Sequence, residues 1–329
     1  MKKRMFCVLA VLVVCLLATQ LISFAADKKL KIAFIPQLIG IPYFTAMELG
    51  GEEAAQRFGV DFEYVGATTA SAPEQVRIME SLITQKYDAI SISVLDAVSI
   101  NPVIEKARKA GIAVYTSDSD SPNSERQVYV AQALDNELGY TLLDTLAEQI
   151  DYKGKIGIVS GEATATNLNA WIGFMQERIK KYPEMEIVDI RYTTGGSSED
   201  AFRQAQQLML RYPDLKGLVA VASSTIPGVA RAVENSNKIG KVKVIGYGSP
   251  NTVRSFVKKG IMEASILWDP KELGYLTVWA GMKLANGEGL KEINEVPGLG
   301  QIKYFPDTKI LLLGDPLIIT KENVDNFDF

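Results

Sequence analysis

Two acidic residues that could bind hydroxyl groups follow an apolar segment in the first half of the chain. The β-forming run 111–114 leads into a polar segment that contains Asp118 and Asp120. Each carboxylate can accept hydrogen bonds from two hydroxyls, which suits a polyhydroxylated ligand. A pair of carboxylates could also act as general acid and base in glycoside hydrolysis. Acids at this position could equally cap a loop or a helix.

Small polar or aromatic residues follow several other predicted strands. Carboxyl ends of parallel strands open into one crevice in α/β domains, so these residues are expected to converge there. Amides donate and accept hydrogen bonds, and aromatic faces cover the apolar side of a sugar ring. The candidates for a ligand-binding site are Gln37, Tyr43, Phe44, Asp118, Asp120, Asn167, Ser223, Ser249, Trp268 and Asp269. Asn167 and Ser223 could also be helix caps, and Tyr43 and Phe44 could be core residues.

Several chemistries are excluded by the residues that the sequence does not contain. It has no histidine, and its two cysteines, Cys7 and Cys15, lie in the N-terminal apolar segment. Disulfides and the usual zinc, haem and Cys/His catalytic sites are therefore not expected. Phosphate-binding and nucleophile-elbow motifs are also missing. We predict no metal and no cofactor, whereas a Ser–Lys hydrolase or a catalytic carboxylate pair is not excluded by these absences.

The N-terminus has the three parts of a secretory signal. Positive residues at 2–4 precede an apolar run over 5–17, and small residues at positions 23 and 25 follow it. This pattern predicts a signal peptide over 1–25 and a secreted protein. The net charge is −4, and removal of the basic residues at 2–4 makes the chain more acidic. A nucleic-acid partner is therefore not expected.

Apolar strands alternate with amphipathic helices along most of the chain. This rhythm predicts right-handed β-α-β units and parallel sheets, which is an α/β fold. The same rhythm restarts after a break near 121–135, so we predict two Rossmann-like lobes. The apolar segment 310–319 reads as a strand interrupted at Gly314 and Pro316.

Several short motifs resemble one family of proteins. They are Ile32–Pro36 with Tyr43-Phe44, Tyr87–Ile90, Gly111–Val114 leading to Asp118-Ser119-Asp120, Gly246–Asn251, Leu267–Pro270 with Leu273–Tyr275, and Ile319–Val324. With these motifs the chain resembles the type I periplasmic solute-binding proteins of ABC sugar importers, in the ribose-binding-like group. The resemblance covers about residues 30–329.

The resemblance implies two lobes, a three-stranded hinge and a ligand clamped in the interlobe cleft. It places the crossovers near 121–132, 247–251 and 268–272. The N-terminal lobe would comprise 26–124 plus 251–268, and the C-terminal lobe 125–250 plus 269–329. Such a protein binds a sugar, works as a monomer with a membrane permease, and performs no catalysis.

Within the group, the chain is most similar to the rhamnose-binding and autoinducer-2-binding branch. Asp118 keeps the acid of the autoinducer-2 pattern, but Gln37 replaces its lysine. Asn167 and Leu168 replace its adjacent aspartate and glutamine. The run at 268–270 resembles the rhamnose-binding members instead. The expected ligand is a rhamnose-like deoxyhexose or a related polyol, with an autoinducer-2 receptor and a secreted carboxylate-dependent hydrolase as alternatives.

The predicted roles place eight of the ten candidates in three groups. Asp118 and Asp269 would accept ligand hydroxyls. The polar shell around the ligand would be completed by Gln37, Asn167 and Ser223. The sugar ring would pack against the aromatic rings of Tyr43, Phe44 and Trp268. Asp120 has a weaker claim, since it could be a hinge or capping acid.

Overall fold

The computed structural model describes residues 29–329. The predicted signal peptide, with Cys7 and Cys15, lies outside the described residues. The first half contains β1 (Lys31–Ile35), α1 (Pro42–Phe58), β2 (Asp61–Tyr64), α2 (Ala72–Thr84), β3 (Ala89–Ile92), α3 (Ala97–Lys109), β4 (Ala113–Ser117), β5 (Tyr129–Ala131), α4 (Asp135–Gln149) and β6 (Lys153–Ser160). The predicted alternation of strands and helices is confirmed.

The second half continues the alternation and ends in short strands. Its elements are α5 (Thr166–Arg178), β7 (Glu184–Tyr192), α6 (Ser198–Arg211), β8 (Leu215–Ala220), α7 (Ile226–Asn235), β9 (Lys243–Gly246), α8 (Pro250–Lys258), β10 (Ala264–Leu267), α9 (Pro270–Ala285), β11 (Ile293–Val296), β12 (Gly300–Phe305), β13 (Ile310–Leu312) and β14 (Leu317–Thr320). Single-turn 3₁₀ helices occur at Ile179–Lys181 and Val324–Asn326. Within residues 29–329, no helix is both long and apolar enough to cross a bilayer.

Two sheets define two lobes. The first lobe has an eight-stranded sheet in the order β11-β12-β13-β5-β4-β3-β1-β2, in which β13, β5, β4, β3, β1 and β2 run parallel. The second has the parallel sheet β7-β6-β8-β9. Bridges from Val244 to Met262 and from Tyr247 to Ile266 place the antiparallel pair β10-β14 beside β9. The α/β fold class is confirmed.

The lobe assignment of the last third of the chain is corrected by the sheet order. Residues 251–268 were predicted in the first lobe, but β10 lies beside β9 in the second. Residues 269–329 were predicted in the second lobe, but α9 packs along α1 and β11–β13 extend the first sheet. β14 and the chain end after it return to the second lobe, where the Asn251 amide of α8 donates to the Phe329 carbonyl over 2.9 Å.

Two glycines account for the position of α9. A Cβ added at Gly50 would lie 1.8 Å from the carbonyl oxygen of Lys271, and one at Gly274 would lie 1.9 Å from that of Met47. The helices α1 and α9 therefore approach until their backbones touch, which larger side chains would prevent.

The chain crosses between lobes at three places. These are residues 132–134 between β5 and α4, 268–269 between β10 and α9, and 313–316 between β13 and β14. The predicted crossover at 247–251 is wrong, because this segment joins β9 to α8 within the second lobe. The interruption predicted in the apolar segment 310–319 is the third crossover. Short strands β5, β11 and β12 were not predicted.

Candidate functional site

An interlobe cavity lies where the carboxyl ends of strands from both sheets meet. The volume open to the centre of a water molecule is about 40 Å³. Its lining residues are Gln37, Leu38, Ile41, Tyr43, Phe44, Asp118, Asn167, Leu168, Trp171, Val221, Ala222, Ser223, Ser224, Tyr247 and Trp268. Seven predicted site residues are among them: Gln37, Tyr43, Phe44, Asp118, Asn167, Ser223 and Trp268. Their role in ligand binding stays a prediction.

Asp118 stands at a sharp bend directly after β4. Its φ of 67° is in the left-handed region, and the Ser119 amide donates to the Ser117 carbonyl over 2.7 Å across it. This three-residue turn is strained for a residue with a Cβ. The Asp118 carbonyl accepts hydrogen bonds from Tyr129 Oη (3.0 Å) and Gln132 Nε2 (3.1 Å). The surrounding structure thus holds a strained residue in place, as is common at binding sites.

The Asp118 carboxylate is buried and faces hydroxyls rather than a cation. It is 3% exposed. Its oxygens accept hydrogen bonds from Tyr43 Oη (2.6 Å) and Ser93 Oγ (2.5 Å). Burial raises the pKa of Asp118 to about 6, although the hydrogen bonds from Ser93 and Tyr43 lower it and the charge of Asp135 raises it slightly. The group is therefore a desolvated acid, and additional hydrogen-bond donors would stabilise its ionised form.

Aromatic rings surround this carboxylate and fix one another. Tyr43 packs edge-on against Phe44 and Trp268, with ring centroids 4.9 and 5.7 Å apart. Trp268 Nε1 donates to Tyr43 Oη over 3.0 Å, so Tyr43 accepts one hydrogen bond and donates another to Asp118. From the second lobe, Trp171 lies 5.8 Å from Trp268 and 4.6 Å from Tyr247. The cavity has apolar walls of restricted mobility.

The lobes touch each other at two places. Gln37 Nε2 is 3.4 Å from the Val94 carbonyl of its own lobe and 3.3 Å from Asn167 Oδ1 of the second. Between the loops that follow β2 and β7, the Ala70 amide approaches the Gly195 carbonyl to 3.5 Å. These contacts close the cleft around the cavity.

Asp120 does not line the cavity, and its contacts within the folded chain are structural. It forms an ion pair with Arg126 over 2.6 Å and accepts a hydrogen bond from Thr116 Oγ1 over 2.6 Å. The Arg126 side chain is 5% exposed, so the acid neutralises a buried cation. Both oxygens of Asp120 are held by guanidinium nitrogens, which leaves a ligand no easy access.

Ser249 and Asp269 also lie outside the cavity lining and serve helix ends. Asp269 caps α9, because its Oδ1 accepts the amides of residues 271 (2.8 Å) and 272 (3.1 Å). Ser249 precedes α8, and its Oγ lies 2.9 Å from Thr252 Oγ1. A short polar residue followed by Pro is typical of a helix start, but only the Asp269 side chain makes capping hydrogen bonds to backbone amides.

Four residues that line or support the cavity were not among the predicted site residues: Leu168, Trp171, Tyr247 and Asp135. Leu168 and Trp171 line the cavity from the first turns of α5, and Tyr247 lines it from the end of β9. Asp135, at the start of α4, accepts a hydrogen bond from Trp171 Nε1 over 2.7 Å. Burial raises the pKa of Asp135, which the bond from Trp171 lowers. Tyr247 directly follows a strand and could have been predicted for that reason, but Ser249 is the more polar residue of the same segment.

The site is suited to a small, uncharged, hydroxyl-rich molecule. No Lys or Arg is among the residues that line it, so an anionic ligand would lack a counter-charge. Between residues 29 and 329 no cluster of three acidic, His or Cys side chains could hold a metal ion. The remaining groups are one carboxylate, amides, hydroxyls and aromatic faces, which together recognise hydroxyls and C–H surfaces.

Known proteins resemble the chain in sequence and fold. The family described as "Periplasmic binding protein domain" matches residues 32–289. The D-ribose/D-allose-binding protein of Pseudomonas aeruginosa is 26% identical over 272 residues, covering 79% of this chain and 84% of that protein.

Two solved structures also resemble the chain. LsrB from Clostridium saccharobutylicum in complex with AI-2 is similar with a TM-score of 0.86 at 26% identity, covering 91% of this chain and 100% of that one. A sugar ABC transporter structure from Actinomyces odontolyticus has a TM-score of 0.71 at 34% identity, covering 91% and 98%. The similarity therefore extends across both lobes and the cavity between them.

Proposed function

The chain belongs to the periplasmic binding protein family, and from that premise we propose that it is a receptor that captures a small sugar for an ABC importer. Members of this family bind solutes without transforming them, and the chain is not an enzyme. The hydrolase alternative is therefore wrong.

The observation that carries the proposal is the environment of Asp118. A buried carboxylate without a cationic partner faces an aromatic cavity formed by both lobes. Sugar hydroxyls would supply the donors that water supplies to an exposed carboxylate. Aromatic rings would cover the C–H faces of the sugar ring. A ligand that touches both lobes favours closure, which is how it would be retained.

The finer proposal is a rhamnose-like deoxyhexose or a related polyol. A deoxyhexose carries a methyl group, and the cavity lining offers it apolar contacts from Leu38, Ile41, Leu168 and Val221. The D-ribose and D-allose named for the Pseudomonas aeruginosa relative are other polyols of suitable chemistry. They belong in any test of the ligand.

Autoinducer-2 is the second candidate, because the LsrB structure was determined with that ligand. Asp118 fits either ligand. Gln37 and Leu168, which replace a lysine and a glutamine of the autoinducer-2 pattern, favour the sugar. A receptor for autoinducer-2 would serve signal uptake rather than nutrition.

Ligand entry requires the lobes to separate. One water molecule needs ~10–15 Å³ of the cavity volume given above, so the cavity has room for about three water molecules. A hexose has twelve non-hydrogen atoms, so its binding needs a wider cleft than the closed arrangement provides. Rotation about the crossovers at 132–134, 268–269 and 313–316 would supply that width.

The test is a thermal-shift screen of the purified protein, followed by calorimetry. The panel contains L-rhamnose, L-mannose, D-ribose, D-allose and autoinducer-2, with amino acids and sugar phosphates as charged controls. We expect saturable one-to-one binding of a neutral sugar and no chemical change in the recovered sugar. Tight binding of a charged control alone would refute the proposal.

The periplasmic location, the permease partner and the monomeric state are parts of the same proposal. The location depends on cleavage after Ala25, which N-terminal sequencing of the secreted protein tests directly. A mature chain that begins at Ala26 is the expected result, and a retained segment 1–25 would contradict it. Light scattering of the purified protein should give the mass of one chain.

A further inference from the structure

The hydroxyl of Tyr247 is a buried polar group that the folded protein does not satisfy. Tyr247 is 1% exposed, and its Oη has no hydrogen-bond partner among the described residues. Buried hydroxyls are nearly always paired, because an unpaired one loses its hydrogen bonds to water without replacement. This residue also lines the interlobe cavity. The unpaired group thus stands at the position where a ligand would be bound.

The ring that carries this hydroxyl is fixed in place. Tyr247 directly follows β9, and its amide donates to the Ala220 carbonyl over 3.2 Å. Its ring lies 4.6 Å from that of Trp171 and 6.2 Å from that of Trp268, measured between centroids. Neighbours on both sides therefore prevent the phenol from turning towards bulk water. A binding group held by its surroundings loses little entropy when a ligand arrives.

The charge state of the phenol suits hydrogen bonding with a neutral ligand. Burial raises the pKa of Tyr247 well above its ordinary value, and the carboxylate of Asp135 raises it further. The hydroxyl therefore keeps its proton at physiological pH and can both donate and accept.

We propose that Tyr247 is a specificity-determining residue whose hydroxyl hydrogen-bonds an oxygen of the bound sugar. The proposal rests on the sugar-binding function proposed above. Asp118 belongs to the first lobe and Tyr247 to the second. A sugar that bonds both would link the two lobes through polar contacts. Ligands without an oxygen at the matching position would leave the phenol unpaired and bind more weakly.

The first experiment compares Tyr247→Phe with the matched control Tyr64→Phe. The Tyr64 hydroxyl is also buried and unpaired, but Tyr64 does not line the cavity. The probe is whichever of D-ribose, D-allose, L-rhamnose and L-mannose binds the wild type most tightly in calorimetry. Tyr247→Phe should weaken that sugar tenfold or more, while its unliganded melting temperature stays equal to or rises above that of the wild type. Tyr64→Phe should leave the affinity unchanged.

The second experiment locates the oxygen that pairs with the phenol. Monodeoxy derivatives of the same sugar are titrated into the wild type and Tyr247→Phe. One derivative should bind both proteins equally, because the protein hydroxyl then has no partner to lose. The remaining derivatives should keep the tenfold difference.

Each outcome separates this proposal from the one on which it rests. If a sugar binds the wild type and Tyr247→Phe equally well, the role of Tyr247 is refuted and the sugar-binding function stands. If every monodeoxy derivative keeps the tenfold difference, the substitution acts through cavity shape and the proposed hydrogen bond is refuted. If no sugar binds the wild type, both proposals fail.

Discussion

Replacing Asp118 by asparagine should weaken ligand binding while stabilising the unliganded protein. Asparagine keeps the shape of the side chain and removes its charge. Tyr43 Oη already accepts a hydrogen bond from Trp268, so it must continue to donate to position 118. The carbonyl oxygen of Asp118→Asn would face Tyr43, and its amide nitrogen would face Ser93, whose hydroxyl can rotate to accept.

The loss of affinity follows from the loss of charge-assisted hydrogen bonds. A hydrogen bond to a charged group contributes about 1.5–3 kcal/mol, and a neutral one about 0.5–1.5 kcal/mol. The substitution should therefore cost about 2 kcal/mol of binding free energy, which is about a 30-fold rise in Kd.

The gain in stability follows from the pKa of the acid. The pKa of Asp118 is raised from 3.8 to about 6, so the folded protein binds this proton more tightly than the unfolded chain. The stabilisation that the protonated acid gives is therefore lost as pH rises from about 4 to about 6, and it stays lost at neutral pH. At 1.36 kcal/mol per pKa unit, the ionised carboxylate costs about 3 kcal/mol. Asp118→Asn avoids that cost.

Urea denaturation of both proteins between pH 4 and pH 8, with calorimetry at pH 7.5, measures the two effects. The free energy of unfolding of Asp118→Asn should exceed that of the wild type at pH 7.5, and the difference should vanish towards pH 4. A variant that binds sugar as tightly as the wild type would refute the role of Asp118. A variant that is equally destabilised at every pH would refute the electrostatic argument.

Four further predictions follow from the same structure. Sugar affinity of the wild type should fall about tenfold between pH 7.5 and pH 5, because only about one in ten Asp118 side chains is ionised at pH 5; a flat calorimetric pH profile would contradict this. Gly274→Ala should lower the free energy of unfolding in urea by about 2–3 kcal/mol, because the added Cβ meets a backbone carbonyl. Gly173→Ala, whose Cβ would enter open space, should raise the free energy of unfolding by up to about 1 kcal/mol. Equal effects of the two substitutions would argue against backbone contact between α1 and α9. Asp120→Asn should cost about 3 kcal/mol of stability by leaving its buried cation unpaired, with sugar affinity unchanged; weakened binding would return this acid to the site. Asp269→Ala should cost about 1 kcal/mol through the lost helix cap, again with unchanged affinity in calorimetry; a tenfold loss of affinity would show a ligand contact.

The architecture and the centre of the site could be predicted from sequence because both follow from local patterns. Alternating apolar strands and amphipathic helices specify parallel β-α-β units. The carboxyl ends of parallel strands lie at one edge of the sheet. The residues after strand ends therefore include Asp118 and most of the polar and aromatic residues that line the interlobe cavity. These are consequences of periodicity and chain direction alone.

The features that could not be predicted from the sequence depend on which segments meet in three dimensions. A carboxylate after a strand and before Pro can face a ligand or cap a helix, and only the orientation of α9 decides the matter for Asp269. The pairing of Asp120 with Arg126 is likewise set by the path of the loop between them. Lobe assignment in the last third depends on the close approach of α1 and α9, which the pattern of apolar residues does not encode.

A crystal structure of the protein with its tightest-binding neutral sugar tests the central claim most directly. The account predicts one sugar in the interlobe cavity, with a hydroxyl hydrogen-bonded to the Asp118 carboxylate, an aromatic ring against its C–H face, and contacts to both lobes. A sugar bound elsewhere, or bound in this cavity without contact to Asp118, would contradict it.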